Sequence, residues 1–230
     1  MTTATEPGYA ELPRLISLMT GDDKHRAAAE STVDVLWVLY DRVLDITPGN
    51  FRAPDRDRFL LSKGHGPMAY YAVLTAKGFL AEEELPTWSN ALSRLGHHPD
   101  RRRIPGVEIS SGSLGHGLPI ALGTALGLRA KGLTRPRVVT LVGDAELDEG
   151  SNHEAIVVAA RSGLENLTTV VIDNQSSTHG WPGGIARRFE VEGWETRTVS
   201  GRDHASLYEA FTAAHPGRPL AVVAVVEPKG

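Results

Sequence analysis

Arg137 to Gly180 reads RVVTLVGDAELDEGSNHEAIVVAARSGLENLTTVVIDNQSSTHG, and this stretch decides the fold. Val138 to Val142 and Leu167 to Ile172 are apolar, β-branched runs bounded by polar residues, the pattern of strands buried on both faces. Between them Ile156, Ala159, Ala160 and Leu164 recur at helical spacing. The segment is a βαβ unit, whose right-handed crossover makes its strands parallel and brings Asp144 and Asn174 out at one sheet edge. Open α/β sheets bind ligands at that edge. A carboxylate and an amide oxygen side by side are hard oxygen donors, suited to Mg²⁺ held jointly with a diphosphate. The helix beginning near Gly150 would offer its N–H groups to the same phosphates. The competing reading is a solvated acidic turn (Glu146, Asp148, Glu149) capping an ordinary helix.

The whole chain has 230 residues, enough for one substantial core. Lys plus Arg number 24 against 28 Asp plus Glu, a formal charge of −4 that gives no reason to expect nucleic acid or an anionic membrane as partner. The run Arg101 to Arg103 reads as a short solvated loop. With no cysteine, disulfides and thiolate metal or redox chemistry are excluded. The first 20 residues lack a basic segment followed by an uninterrupted apolar one, and no apolar run is long enough to span a bilayer, so a soluble cytoplasmic protein is expected. Residues 1–8 read as a disordered tail and 9–230 as a single domain. Ala27 to Leu44 carries an apolar helical stripe of Val33, Leu36, Trp37, Tyr40 and Leu44. A Pro/Gly/Asp-rich loop leads to a short strand, Arg58 to Leu61. Helices are expected at 67–77, 82–90 and 119–131, then, after the βαβ unit, a strand at 194–199, a helix at 203–214 and a last strand at 220–226. Such alternation predicts an α/β fold, a parallel sheet with helices on both faces.

The GD, acidic turn and, about 30 residues on, DN resemble the thiamine diphosphate motif of the transketolase family. The resemblance implies that Asp144, Asn174 and the carbonyl of Ser176 hold Mg²⁺, with Gly143, Ala145 and Glu149 at the cofactor. Three further segments match in the same order. Ser62-Lys63-Gly64-His65 follows the short strand, and its histidine implies a role at the cofactor for His65. Arg94 to Gly117, RLGHHPDRRRIPGVEISSGSLGHG, resembles the family's histidine loop and glycine-rich turn. It implies an active-site role for His98 and close backbone approach to the cofactor at Gly112, Ser113, Leu114 and Gly115. His97 stands where glycine is usual, and His116 where glutamine or histidine is usual. Counting back from Asp34, His25 falls on a substrate-contacting histidine whose flanking Gly, Pro and Gly have become Lys, Arg and Ala. Ala145 replaces the second glycine of the usual GDG, Gln175 follows Asn174, and His179 stands where aspartate is common; none removes a metal ligand. The pattern is that of a divergent branch of the family. Glu149 matches an acidic residue that communicates with the partner subunit, or serves as a helix N-terminal glutamate favoured by the dipole.

The resemblance runs from about Leu12 to Val226 and corresponds to the diphosphate-binding domain. It implies thiamine diphosphate and Mg²⁺ as cofactors. Because the sequence stops soon after its last strand, a separate C-terminal, pyrimidine-binding subunit is expected as partner, in a heterotetramer. The implied activity is transfer of a two-carbon ketol unit from a ketose to an aldehyde, with His65, His98 and His25 as proton donors or oxyanion stabilisers. Decarboxylation of a 2-oxo acid with acyl or acyloin transfer, and a noncatalytic domain binding a phosphorylated ligand, are the alternatives.

Overall fold

The computed structural model describes residues 8–21, 26–64 and 66–228. Five strands form one sheet in the order β1-β2-β3-β5-β4: β1 (Arg58–Leu61), β2 (Val138–Gly143), β3 (Leu167–Asp173), β4 (Glu195–Ser200) and β5 (Leu220–Val225). Every pair is parallel, with Leu141 beside Leu61 and Val170, and Val171 beside Val223. β2 is buried along its whole length and β3 on all but its last residue, as expected of runs of apolar and β-branched residues. β4 lies at the edge, and its mixed sequence ETRTVS is only partly buried.

Alternate strand residues point to opposite faces, and each face has its own core. Val139, Leu141, Val170, Ile172 and Val222 pack beneath α1 (Leu12–Ser17), α2 (Arg26–Glu30), α3 (Val33–Val38), α4 (Pro67–Ala76) and α8 (His204–Thr212). Val138, Val142, Leu167, Val171 and Ala221 pack beneath α5 (Gly117–Ala130), α6 (Gly150–Arg161) and α7 (Ile185–Glu190). Helices thus cover both faces, as the alternating pattern predicts.

Three local departures have physical causes. The stripe expected as one helix over 27–44 is broken: Ser31 and Thr32 turn their hydroxyls back onto the Ala28 carbonyl, and residues Leu39–Val43 widen into a π-helical turn. The helix expected at 82–90 is a 3₁₀ segment, Glu82–Thr87, with Pro86 inside it and no N–H there to continue an α-helix. Two short helices escaped the pattern. Six-residue α1 buries Leu12, Leu15 and Ile16, and α7 buries only Phe189, too little periodicity to read.

Leu141 is fully buried between β1 and β3. We expect Leu141→Ala to cost about 2–5 kcal/mol of stability, read as a lowered denaturation midpoint in urea; an unchanged midpoint would contradict the assigned core.

Candidate cofactor site

Parallel strands deliver all their C-terminal ends to one edge, and all five contribute to a single cleft of about 460 Å³. Lys63 and Gly64 follow β1, Gly143, Ala145 and Glu146 end β2, Asn174 and Ser176 follow β3, Arg202 follows β4, and Glu227 and Pro228 follow β5, while Asp144 is buried behind this lining. Ala28, Glu30 and Ser31 form the opposite wall, with Leu114 of the glycine-rich turn.

The β2 and β3 ends are tied together. Asp144 is buried, and its carboxylate accepts the Ser176 N–H at 2.6 Å, the Ser176 hydroxyl at 2.6 Å and the Ser177 N–H at 3.1 Å. Asp148 accepts the Ser177 hydroxyl at 3.1 Å and the Thr178 N–H at 3.3 Å. This return is possible because Gln175 sits at φ 58°, a left-handed conformation that side chains rarely adopt. Asn174 is also buried, and its Oδ1 has no hydrogen-bond partner among the described residues. A buried amide oxygen in that condition calls for a partner. The donor chemistry fits a hard cation: one carboxylate, one orphaned amide oxygen and the peptide oxygen of Ser176. Among the described residues no three His, Cys, Asp or Glu side chains cluster as a metal site, so such an ion would rest on this mixed oxygen set.

Glu146 overturns the picture of a solvated acidic turn. It is 2% exposed, and its carboxylate accepts the Ser62 hydroxyl, the Gly115 N–H at 3.0 Å and the Gly143 N–H at 3.3 Å. Ser62 Oγ in turn accepts the Gly117 N–H at 3.0 Å. One carboxylate therefore joins the ends of β1 and β2 to the glycine-rich turn. Burial raises its pKa above the ordinary 4.5, against the opposing pull of these hydrogen bonds and of Lys63. Ala145 and Glu146 belong to a 3₁₀ turn, Ala145–Asp148, which lies between β2 and α6. It is this turn, not the start of α6 at Gly150, that lines the cleft. Lys63 is buried as well, with its ammonium 3.1–3.3 Å from Thr32 Oγ1, Ser31 Oγ and the Ala28 carbonyl.

His98 rests at the base of a loop whose other end is Gly112. Its Nδ1 lies 2.9 Å from the Gly64 carbonyl, and because a carbonyl only accepts, Nδ1 is the donor. Gly112 has φ 122°, and a Cβ there would lie 2.8 Å from the imidazole. Gly115 has φ 80°, and a Cβ would meet that of Glu149 at 2.5 Å. Both positions need glycine for backbone shape and for room. Ser113 and Glu149 are exposed, and with Gly112, Gly115 and His98 they stand outside the residues lining the cleft. His25 and His65 lie outside the described residues.

The far wall is held by a network that sequence reading missed. Asp34 on α3 accepts from Tyr9 at 2.5 Å, His204 at 2.8 Å and Arg202 at 2.8 Å. Burial alone would raise the Asp34 pKa, but these hydrogen bonds outweigh it and hold the carboxyl below its ordinary range. Arg202 also donates to the Glu30 carbonyl and pairs with Glu227 at 2.6 Å. Helices α2 and α3 are thereby fastened to the ends of β4 and β5. No motif announced Arg202 or Glu227; only their places just beyond strand ends marked them.

A parallel α/β domain with an oxygen-rich cleft across its strand ends belongs to the class that holds phosphorylated cofactors at the sheet edge. Residues 17–225 match the thiamine diphosphate binding domain of transketolase. The chain belongs to the transketolase family. It is 56% identical over 222 residues to a protein of Rhodococcoides fascians named ferredoxin fas2, covering 96% of this chain and 73% of that one. A protein of Actinobacillus succinogenes, named as one of the subunits of apulose-4-phosphate transketolase, is 37% identical over 207 residues, covering 87% of this chain and 75% of that one. Among solved structures, transketolase from Campylobacter jejuni superposes with a TM-score of 0.79 at 26% identity, covering 98% of this chain. The chain spans 38% of the length of that enzyme.

Because the folded-state pKa of Glu146 is raised, the native state binds a proton more readily than the unfolded chain, and this residue's contribution to stability falls as pH rises from about 4.5 through its folded pKa. Glu146→Gln removes that titration. The stability difference, wild type minus variant, should therefore decline as pH rises above 4.5 in denaturant titrations; a flat or rising difference would refute the assigned burial.

Proposed function

We propose that this chain is the N-terminal, thiamine diphosphate-binding subunit of a split transketolase, transferring a two-carbon ketol unit from a ketose to an aldehyde acceptor. Residues 9–230 form its diphosphate-binding domain. A separate pyrimidine-domain subunit completes the enzyme, as a heterotetramer. The observation that carries the reading is the orphaned Asn174 Oδ1 beside the buried Asp144, at the edge where all five strands end. It is supported by likeness to a relative that is itself named as one subunit of a transketolase, over 75% of that relative's length. The name ferredoxin borne by another relative finds no counterpart, since iron–sulfur clusters need thiolates and the chain has no cysteine.

Asp144, Asn174 and the Ser176 carbonyl would hold Mg²⁺, and through it the diphosphate, while the Lys63 ammonium adds positive charge at the same cleft. When bound, thiamine diphosphate supplies a carbanion at its thiazolium ring. Asp144 is kept in place by the Ser176 and Ser177 donors, so the anchor is oriented before any ligand arrives. The Gly64 carbonyl fixes the ring and tautomer of His98, and Nε2 is the atom that takes up or returns a proton at the substrate. His65 and His25 join it as proton donors or oxyanion stabilisers. Among the described residues no helix is long and apolar enough to cross a membrane, and a cytoplasmic enzyme is the reading we adopt.

Calorimetric titration of thiamine diphosphate with Mg²⁺ tests the anchor, with and without a candidate C-terminal subunit. We expect Asn174→Ala to weaken cofactor binding by about tenfold or more, and chelation of Mg²⁺ to do the same. Undiminished binding in the variant would defeat the assignment. An assembled complex that consumed pyruvate but no ketose would move the reaction to 2-oxo acid decarboxylation.

A further inference from the structure

Away from the cofactor cleft, a second cleft of about 410 Å³ gathers five arginines, Arg52, Arg56 and Arg101 to Arg103, against one carboxylate, Glu108. It lies beside the entry to β1, whereas the cofactor cleft lies beyond its exit, and the two share no lining residue. Glu108 is already engaged, 2.7 Å from Arg56 and 3.6 Å from Arg58. Among the described residues, Arg52 and Arg101 to Arg103 make no ion pair, in contrast to Arg94, Arg137 and Arg202. The cleft therefore carries a positive excess in a chain whose formal charge is −4.

Arg101 to Arg103 are exposed on a turn, as their sequence implied, and the backbone of that turn is held in place. The Arg102 N–H caps onto Asp100 Oδ1 at 2.8 Å, and the N–H groups of Arg103 and Ile104 both reach the Asp100 carbonyl. Ser110 closes the loop, donating to Asp100 Oδ1 at 3.0 Å and accepting the Arg101 N–H at 3.1 Å. Ile104 and Val107 are buried in the core, and Gly106, at φ 81°, passes so close to Phe79 that a Cβ would lie 2.6 Å from its ring. On the other bank Arg56 is held by the carbonyls of Phe51 and Asp57. Guanidinium groups match phosphate oxygens bidentately, and the volume suits a small molecule.

We propose that this cleft binds a polyphosphate group, free or as the phosphate chain of a nucleotide, at a site separate from the cofactor. This does not rest on the transketolase reading.

The test is calorimetric titration of the whole chain with inorganic triphosphate and with ATP, in EDTA and in an Asn174→Ala background that disables the cofactor cleft. We expect saturable binding that weakens steeply with salt, and at least about tenfold weaker binding (1.4 kcal/mol) when Arg101, Arg102 and Arg103 are all changed to Ser. Arg52→Ser, at an exposed position, should weaken it separately while the far-ultraviolet dichroism stays native. Equal affinity for both probes supports a bare polyphosphate, and tighter ATP binding supports a nucleotide. Absent binding, or binding unchanged by the arginine substitutions, overturns the proposal. So does a triple variant that loses only its association with a partner subunit, which would make the cleft a protein interface.

Discussion

The buried carboxylate of Glu146 is the interaction on which the site depends. A parallel sheet brings strand ends to one edge but leaves the loops beyond them unordered. Glu146 receives a hydroxyl from the β1 exit and N–H groups from the β2 exit and the glycine-rich turn, three segments far apart in sequence. Ser62 extends the set to the first turn of α5. Burying a carboxylate costs free energy unless donors surround it, so this arrangement is stable only when all three segments are in place together. The shape of the cleft floor is thus a condition of folding, not an adjustment made afterwards.

The sheet was legible because its central strands are buried on both faces and so carry apolar runs interrupted only by β-branched threonines, while Gly143-Asp144 and Asp173-Asn174 punctuate their ends. β1 kept its bounds despite its four residues because turn chemistry precedes it. Helix continuity was less legible. Ser31 and Thr32 read as tolerable helix residues, yet their hydroxyls serve the Ala28 carbonyl and lie beside the Lys63 ammonium, a use that only tertiary structure reveals. Within the site, Asp144 and Asn174 were readable as oxygen donors at strand ends. Glu146 was not, because an acidic turn looks the same in sequence whether its middle carboxylate faces water or the interior.

The wall opposite the metal-ligand candidates is made of segments from both ends of the chain. Asp34 and Glu30 come from the N-terminal helices, Arg202 and Glu227 from the ends of the last two strands, and a guanidinium spans them. Charge-assisted hydrogen bonds of this kind are directional as well as strong. They set the separation between the N-terminal helices and the sheet, and with it the width of the cleft. A residue with no motif around it can therefore govern access to residues whose motifs are plain.

The left-handed turn at Gln175 has a consequence for the order of events. A non-glycine residue held at positive φ stores on the order of 1–3 kcal/mol of strain, and here that strain is sustained by the Ser176 and Ser177 donors closing on Asp144. The loop after β3 has therefore lost its conformational freedom before anything binds. Its entropy is surrendered when the chain folds, so an arriving cation would meet a receptor already arranged rather than one it must first assemble.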